Sequence, residues 1–323
     1  MGEMLEIAKT LIEPGIKLID AVQSAIGKAY EPTHVRNMAD AKAYEISKVA
    51  SAMREASDVP IIYNKGDLSL DTTDFDAFVK RTQSRMAYQE LQKQSNIEAV
   101  ISKAYKMLDG GERVTNDPLD SDWINRLFGF VGDISSEKMQ ELWAKTLAGE
   151  VKKPSSFSMR TLDVLHNLSM EEALLFEKIC SYTVSRTGEV FLPRYGELLE
   201  KTGISYNEIL QLDDCGLLNS GGQWQLNKKI EKGENLLDRN NAYAIVAVSE
   251  YDDLLVTVPA HPLTATGKEL YGIVKKEENC DFFFDYGREI KKNNKRCEVH
   301  AYRMIEDWGH EVLVDRSRDF IAD

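Results

Sequence analysis

The chain has 323 residues, long enough for two or three domains, and a hydrophobic content of 43% typical of folded proteins rather than disordered chains. It carries 53 acidic and 40 basic residues, and its formal net charge of −13 disfavours a protein that binds nucleic acid by neutralising phosphates.

The beginning of the chain predicts an amphipathic helix. Residues 4–30 place apolar side chains at helical spacing, and Pro14-Gly15 should break or kink the helix. Its polar side mixes lysines with acidic residues and lacks the clean basic face and aromatic anchors of a membrane-surface helix. We therefore predict that this segment docks on its own domain or on another subunit. Peripheral contact with the inner membrane surface is the alternative.

Two further helical patterns follow. Residues 33–57 are rich in alanine and carry apolar residues at near-heptad spacing. Residues 58–73 are predicted to form a loop with a short extended piece at 61–63. A long helical pattern then runs from Asp74 to Leu108 and stops at Gly110-Gly111. Long helices with small apolar stripes and mixed charges favour self-association, so we assign residues 1–110 to homo-oligomerisation.

Residues 111–184 contain four amphipathic patterns joined by short linkers, which predict a central helical bundle. The first begins near Asp120, the second follows Ser135-Ser136 and the third follows Ser158. The fourth begins with Ser169-Met170-Glu171-Glu172, a capping box. The predicted core side chains are Trp123, Trp143, Leu147 and Phe176.

Residues 185–232 follow the element order of a winged helix, with a strand, a helix, a turn and a second helix at 206–215. The segments 216–218 and 224–226 flank a glycine-rich turn and predict the hairpin wing. A DNA-binding interpretation would place the second helix in the major groove, but this helix offers no lysine or arginine. The nearby basic cluster, which we assign to nucleic acid if this module binds it, is Lys228, Lys229 and Lys232.

Residues 233–323 switch to strand signals and predict a small α/β domain. The β-branched runs 244–248 and 254–258 are predicted strands, the second closed by Pro259. Helices are predicted at 264–274 and 282–292, and further strands at 297–304 and 312–314. The whole chain is therefore predicted to be mainly α with a smaller α+β C-terminal part. Its order is a helical N-terminal half, a central helical bundle, a winged-helix-like unit and a small α/β domain.

The strongest enzymatic hypothesis is a metal-dependent nuclease, in which Asp120 or Asp122 would act with Glu150 and Lys152 around a magnesium ion. It is disfavoured because Glu150 and Lys152 end a predicted helix, where they point to different sides. The five histidines lack metal-ligand spacing, and no phosphate-binding loop or nucleophile elbow occurs. We predict no catalytic residues, no metal and no cofactor.

The sequence predicts a cytoplasmic location. It shows no signal peptide and no run of eighteen apolar residues. Glu6 occupies the position that a myristoylation signal gives to serine or threonine. The four cysteines lack paired spacing, as expected for reduced thiols.

Several segments carry a resemblance to a known family. The central ones are Trp123 with Phe128, Ser135-Ser136-Glu137, the run Trp143 to Glu150, Ser158 to Leu168, Glu172-Ala173 and Phe176. The outer ones are Ala25 to Pro32, Gln94 to Glu98 and Pro262 to Leu270. Together they resemble a bacterial family known as domain of unknown function 2806. The resemblance implies a bacterial or phage-related intracellular protein and supplies no catalytic residues.

The preferred functional hypothesis is a non-enzymatic, oligomerising protein that acts through protein–protein contacts. Residues 1–110 would bind a second copy, and the C-terminal half would recognise a protein partner or a ligand. A role in bacterial defence against phage is compatible with such a family, although no residue supports it directly. The alternatives are a winged-helix DNA-binding regulator and, less favoured, a metal-dependent nuclease.

Overall fold

The computed structural model describes residues 11–26, 61–64, 67–70, 75–108, 114–308 and 311–322. The chain divides into two compact units, residues 1–162 and 163–323. Its architecture is mixed α+β, with the long helices in the first unit and a large antiparallel sheet in the second. The predicted boundaries after residues 110, 184 and 232 all fall inside these units. The helix predicted at 33–57 lies outside the described residues.

The first unit contains β1 (Leu11–Ile12), α1 (Pro14–Ile26), β2 (Ile61–Asn64), β3 (Asp67–Leu70), α2 (Phe75–Leu108), β4 (Val114–Thr115), α3 (Ser121–Val131) and α4 (Glu137–Lys152). β1 pairs with β4 and β2 pairs with β3, both antiparallel. Proline is favoured at the first position of a helix because the amide there needs no partner, so Pro14 starts α1. The helix α5 (Met159–Asn167) joins the first unit to the second.

The core of the first unit forms where α3 and α4 pack against α1 and α2. Trp123, Trp143 and Leu147 are buried there. Gly15 lets α1 approach α2 closely, since a Cβ at this position would lie 3.0 Å from the ring of Tyr105. The partners differ from those predicted, because the sequence grouped α3 and α4 with the helices that follow them. An apolar stripe shows which side of a helix is covered but not which element covers it.

The second unit contains α6 (Met170–Cys180), β5 (Val184–Arg186), β6 (Glu189–Pro193), α7 (Gly196–Thr202), α8 (Tyr206–Asp214), β7 (Gln225–Ile230), β8 (Gly233–Arg239), β9 (Tyr243–Ser249), β10 (Leu254–Pro262), α9 (Ala265–Tyr271), α10 (Cys280–Asn293), β11 (Cys297–Asp307) and β12 (Val312–Asp315). Its eight strands lie in the order β12-β11-β9-β8-β5-β6-β10-β7, with antiparallel neighbours. The capping box at the start of α6 makes both of its hydrogen bonds, and Phe176 on this helix is buried.

Two predictions for this unit are wrong. The hairpin wing is not formed, because Leu218 bridges to Leu263 and β7 pairs with β10. A glycine-rich turn indicates a chain reversal but does not identify the partner strand. The strand predicted to end at Pro259 continues to Pro262, because the carbonyl of Pro259 accepts the amide of Arg194 at 2.8 Å and the pairing with β6 carries on.

The helix α10 contributes the largest side chains of the second core. Phe283, Tyr286 and Ile290 are buried on it, and Gly287 lies where a Cβ would approach Ile321 at 3.1 Å. The sheet residues in the same cluster include Phe191, Ile245, Val256, Val258, Val299 and Ala301. This cluster excludes water from the sheet face that carries the buried ion pair between Arg186 and Asp238.

Candidate functional site

Two of the three acidic side chains of the nuclease hypothesis, those of Asp120 and Glu150, accept backbone amides, whereas Asp122 is exposed. Asp120 Oδ1 accepts the amides of Asp122 and Trp123 at 2.8 and 3.2 Å, which stabilises the start of α3. Glu150 is 2% exposed, and its carboxylate accepts the three amides of Ser155–Phe157 at 2.6, 3.0 and 3.1 Å. Glu150 therefore holds the loop that follows α4, and its oxygens already bind protein donors.

The surroundings of Glu150 offer no metal site. Lys152 is exposed whereas Glu150 is buried, so the two side chains point to different sides of the helix end. Within the part of the chain that the structure describes, no three histidine, cysteine or acidic residues are grouped so that they could hold a metal ion.

The three lysines assigned to nucleic acid lie in different surroundings. Lys228 is half-buried and its ammonium donates to the carbonyl of Leu236, and burial lowers the pKa of this lysine. Lys229 forms an ion pair with Asp253. Lys232 is exposed. The lysines therefore do not combine into one free basic surface.

A network of charged and phenolic groups lies inside the second unit. Arg186 on β5 and Asp238 on β8 are 3% and 0% exposed, and two hydrogen bonds of 2.6 and 2.7 Å join their guanidinium and carboxylate groups. The hydroxyl of Tyr286 donates to the second carboxylate oxygen at 2.7 Å. The guanidinium also donates to the carbonyl of Leu226 on β7 at 2.9 Å. Because β6 and β10 separate β5 from β7 in the sheet, this contact shows that the sheet curls around the ion pair.

The phenols of this network are neutral at physiological pH. Burial raises the pKa of Tyr286 well above its ordinary value, and the carboxylate of Asp238 acts in the same direction. Burial likewise raises the pKa of the neighbouring Tyr195 to about 12. Since Arg186, Asp238 and Tyr286 bond mainly to one another and to backbone carbonyls, we assign this network to the architecture of the sheet. The sequence did not reveal it, because Arg186 and Asp238 are 52 residues apart.

His261 on β10 is a second buried polar group. It is 3% exposed, and its Nδ1 atom has no hydrogen-bond partner among the described residues. Burial lowers the pKa of His261, and the positive charge of Arg194 lowers it further. The imidazole is therefore neutral in the folded protein.

An open cavity lies in the second unit between the end of α6 and the first turn of α10. It encloses about 360 Å³, part of which is open solvent. Lys276 lies in its wall, half-buried, and donates to the carbonyl of Tyr271 at 2.7 Å. The ammonium also lies 3.8 Å from the centre of the Tyr271 ring, a cation–π contact. Burial lowers the pKa of Lys276.

The helix α2 presents a different kind of surface in the first unit. It has 34 residues and is therefore about 50 Å long. Its second half packs into the bundle through Val100, Ile101, Ala104 and Leu108, which are buried. In its first half, no side chain among residues 78–91 is buried. The exposed apolar side chains of this half are Phe78, Met86 and Leu91, at 44%, 54% and 40%.

Among the described residues, no helix is both long enough and apolar enough to cross a membrane.

Comparison with known proteins gives one family match. The family model described as protein of unknown function, DUF2806, matches residues 80–286 and so covers most of the chain. No curated protein and no solved structure gives a significant match. The match spans most of α2, the two central helices, α5 and α6, and the second unit as far as Tyr286.

Proposed function

This chain belongs to the DUF2806 family of proteins of unknown function, and we propose that it is a non-enzymatic protein that acts through protein–protein contacts, with self-association along α2. The observation that carries the proposal is the first half of α2, where apolar side chains face water along a helix that is packed only in its second half. Two carboxylates considered for catalysis, those of Asp120 and Glu150, support the non-enzymatic part, because they are engaged with backbone amides.

An uncovered helix of this length gains from a partner. Isolated helices shorter than about 12–15 residues are marginal in water, and most helical stability in proteins comes from packing of an apolar face. Burying a fully exposed side chain of this size contributes about 1.5–3 kcal/mol, and Phe78 and Met86, at 44% and 54% exposure, would gain roughly half of that each. In a symmetric dimer the same side chains are covered in both copies, so the gain in free energy is counted once for each copy.

The pattern on α2 favours a second copy as the partner. Val79, Thr82 and Met86 follow one another at spacings of three and four, and we name these three residues with Phe78 the α2 stripe. In a parallel pair of helices with Val79 and Met86 at successive a positions, Arg85 occupies position g and Glu90 the next position e. These are the two positions that form ion pairs between helices.

The charges of these flanking residues are available. Arg85 bonds to Gln89 on its own helix at 2.6 Å. Neither Arg85 nor Glu90 forms an ion pair with another described residue. In the proposed pair, Arg85 of each copy would meet Glu90 of the other, and the α2 stripe would be covered between them.

Sedimentation velocity of the full chain tests this proposal. At micromolar concentration, we expect the wild-type protein to have a sedimentation mass larger than the 36.6 kDa of one chain. The double substitution Phe78→Asp with Met86→Asp should weaken association by at least about 100-fold, because it places one charge in the apolar seam, at Met86, and a second directly beside it, at Phe78. Circular dichroism should remain unchanged, since both side chains are exposed in the monomer.

Ser84→Asp is the matched control. Ser84 is exposed on the same half of α2 but faces away from the α2 stripe, so this change should leave association intact. A wild-type protein that stays monomeric even at 100 times that micromolar concentration would overturn the proposal. Equal weakening by the control and the double variant would do the same.

A further inference from the structure

The cavity at Lys276 lies wholly within the second unit and brings a cation, several amide side chains and a helix start together. Lys276 approaches from the segment between α9 and α10, while Asn240 and Asn241 contribute from the turn between β8 and β9. Phe282 and Phe283 form part of the apolar wall. Most of the lining residues are polar, and polar groups that converge beside an apolar wall are one feature of small-ligand sites.

The ammonium of Lys276 has donors to spare. An ammonium group carries three N–H donors. One of them bonds to the carbonyl of Tyr271, and the tyrosine ring supports one side of the charge. No carboxylate of a described residue lies within ion-pair distance of it. Arg186, by contrast, has a full carboxylate partner. The charge of Lys276 is thus partly removed from water without a negative partner.

The first turn of α10 adds donors at the same cavity. Asn279 is the N-cap residue of this 14-residue helix, but its side chain makes no capping bond and instead donates to the carbonyl of Ser181 at 3.1 Å. The first amide of α10 that bonds back to the N-cap carbonyl is that of Phe283. The amide of Phe282, which lines the cavity, precedes it and keeps part of the positive charge of a helix start, which favours an anion. Cys280 and Asp281, the other residues before Phe283 in α10, do not line the cavity.

The rim restricts the kind of anion that would fit. Glu277 and Glu278 line the cavity and are exposed. Their charges are screened by water, but they repel an ion with two or more negative charges more strongly than a monoanion. We propose that this cavity binds a small monoanionic carboxylate, with Lys276 as its ion-pair partner. The carboxylate oxygens would accept from the ammonium and from the amide of Phe282.

Thermal unfolding of the full chain with acetate as the probe tests this site. The protein is heated at pH 7.5 in increasing sodium acetate, with sodium chloride replaced so that the ionic strength stays constant. A ligand that binds only the folded state raises Tm, and we expect a rise of about 2–4 °C near saturation. Inorganic phosphate, mainly a dianion at this pH, should raise Tm less than acetate does.

Three substitutions locate the effect. Lys276→Gln should abolish the acetate response, and Lys276→Arg should retain it because the cation is kept. Lys275→Gln is the matched control, since Lys275 is the exposed neighbour, and it should respond as the wild type does. The proposal is overturned by no response to acetate, by an equal response in all variants, or by a larger response to phosphate than to acetate.

Discussion

The interior of the curled sheet buries charged side chains, whereas the first half of α2 exposes apolar side chains to water. In the sheet, Arg186 and Asp238 are removed from water, and each meets a charged partner and further hydrogen bonds. On α2, Phe78 and Met86 stay in water without full cover. The buried network has little left to offer a ligand, whereas the helix surface still has apolar area to bury. In this protein the charged and phenolic groups of the buried network thus maintain the fold, and the exposed apolar surface of α2 is the better candidate for function.

The largest expected effect comes from breaking the buried ion pair. Asp238→Asn keeps the shape of the side chain but leaves the guanidinium of Arg186 buried without a counter-charge. We expect the free energy of unfolding of the second unit to fall by about 3–5 kcal/mol. Urea unfolding of the full chain, followed by a signal from the second unit, measures this loss.

The exposed ion pair between Lys201 and Asp285 provides the control for that experiment. Lys201→Ala should cost less than about 1 kcal/mol, because exposed pairs are screened by water. Replacing both partners of the buried pair, as in Arg186→Met with Asp238→Leu, should recover much of the loss. If Asp238→Asn costs no more than Lys201→Ala, the network does not maintain the sheet.

A change in pH tests the same interior with a smaller effect. The folded-state pKa of His261 is lowered below its ordinary value of 6.5, so the unfolded chain binds a proton that the folded chain refuses. This group's contribution to stability is therefore complete well above pH 6.5 and is lost as the pH falls from there towards the folded pKa. The maximal slope for one proton is about 1.4 kcal/mol per pH unit.

Comparison of wild type with His261→Gln between pH 7.5 and 5.5 isolates this contribution from that of the carboxylates. The difference in unfolding free energy between the two proteins should shrink as the pH falls. Only the wild type has an imidazole at this position, and its unfolded chain binds a proton more readily than its folded form does. A difference that stays constant across this range would show that the interior accepts a charged imidazole.

The smallest effect belongs to the ion pairs proposed between two α2 helices. Arg85→Glu or Glu90→Arg alone should weaken self-association by a few-fold, since exposed pairs contribute about 0.2–1 kcal/mol each. The double substitution Arg85→Glu with Glu90→Arg should restore it, because each charge again meets its opposite. Sedimentation equilibrium of the four proteins measures the dissociation constants.

The outcome of the charge exchange also distinguishes between possible arrangements of the two α2 helices. Restoration in the double variant requires that Arg85 and Glu90 face each other across two copies. If both single variants associate as the wild type does while the α2 stripe variant does not, the helices pair in another register. If the double variant is the weakest of all, the parallel arrangement is wrong.

Local structure was largely predictable from the sequence. The long helix ending near Leu108, the helix starting after Asp120 and the capping box at Ser169 are all where the periodicity and capping residues place them. These features depend on residues within a few positions of one another, so a single sequence contains the information. The strands around residues 244–248 and 297–304 were predictable for the same reason.

Features that depend on distant residues were not predictable. No sequence pattern predicted β8, because its polar residues obscure the alternation of a strand. The predicted hairpin also paired the start of β7 with the wrong segment. Glu150, near the end of α4, was a candidate metal ligand only in the disfavoured nuclease hypothesis, and nothing in its spacing shows the three amides that it accepts. The cavity at Lys276 was missed as well. In the sequence, Lys276 followed by two glutamates is typical of a solvent-exposed loop. Only the fold shows that its ammonium bonds to the carbonyl of Tyr271.

The strand order also bears on how the protein folds. Arg186 on β5 reaches Asp238, 52 residues later, and the carbonyl of Val256, 70 residues later. Closing chain segments of this length costs entropy before any contact repays it, and such non-local pairing slows folding. The central strands cannot be completed until β8 and β10 have both arrived, so the sheet should assemble late, in one cooperative step, after the local helices have formed.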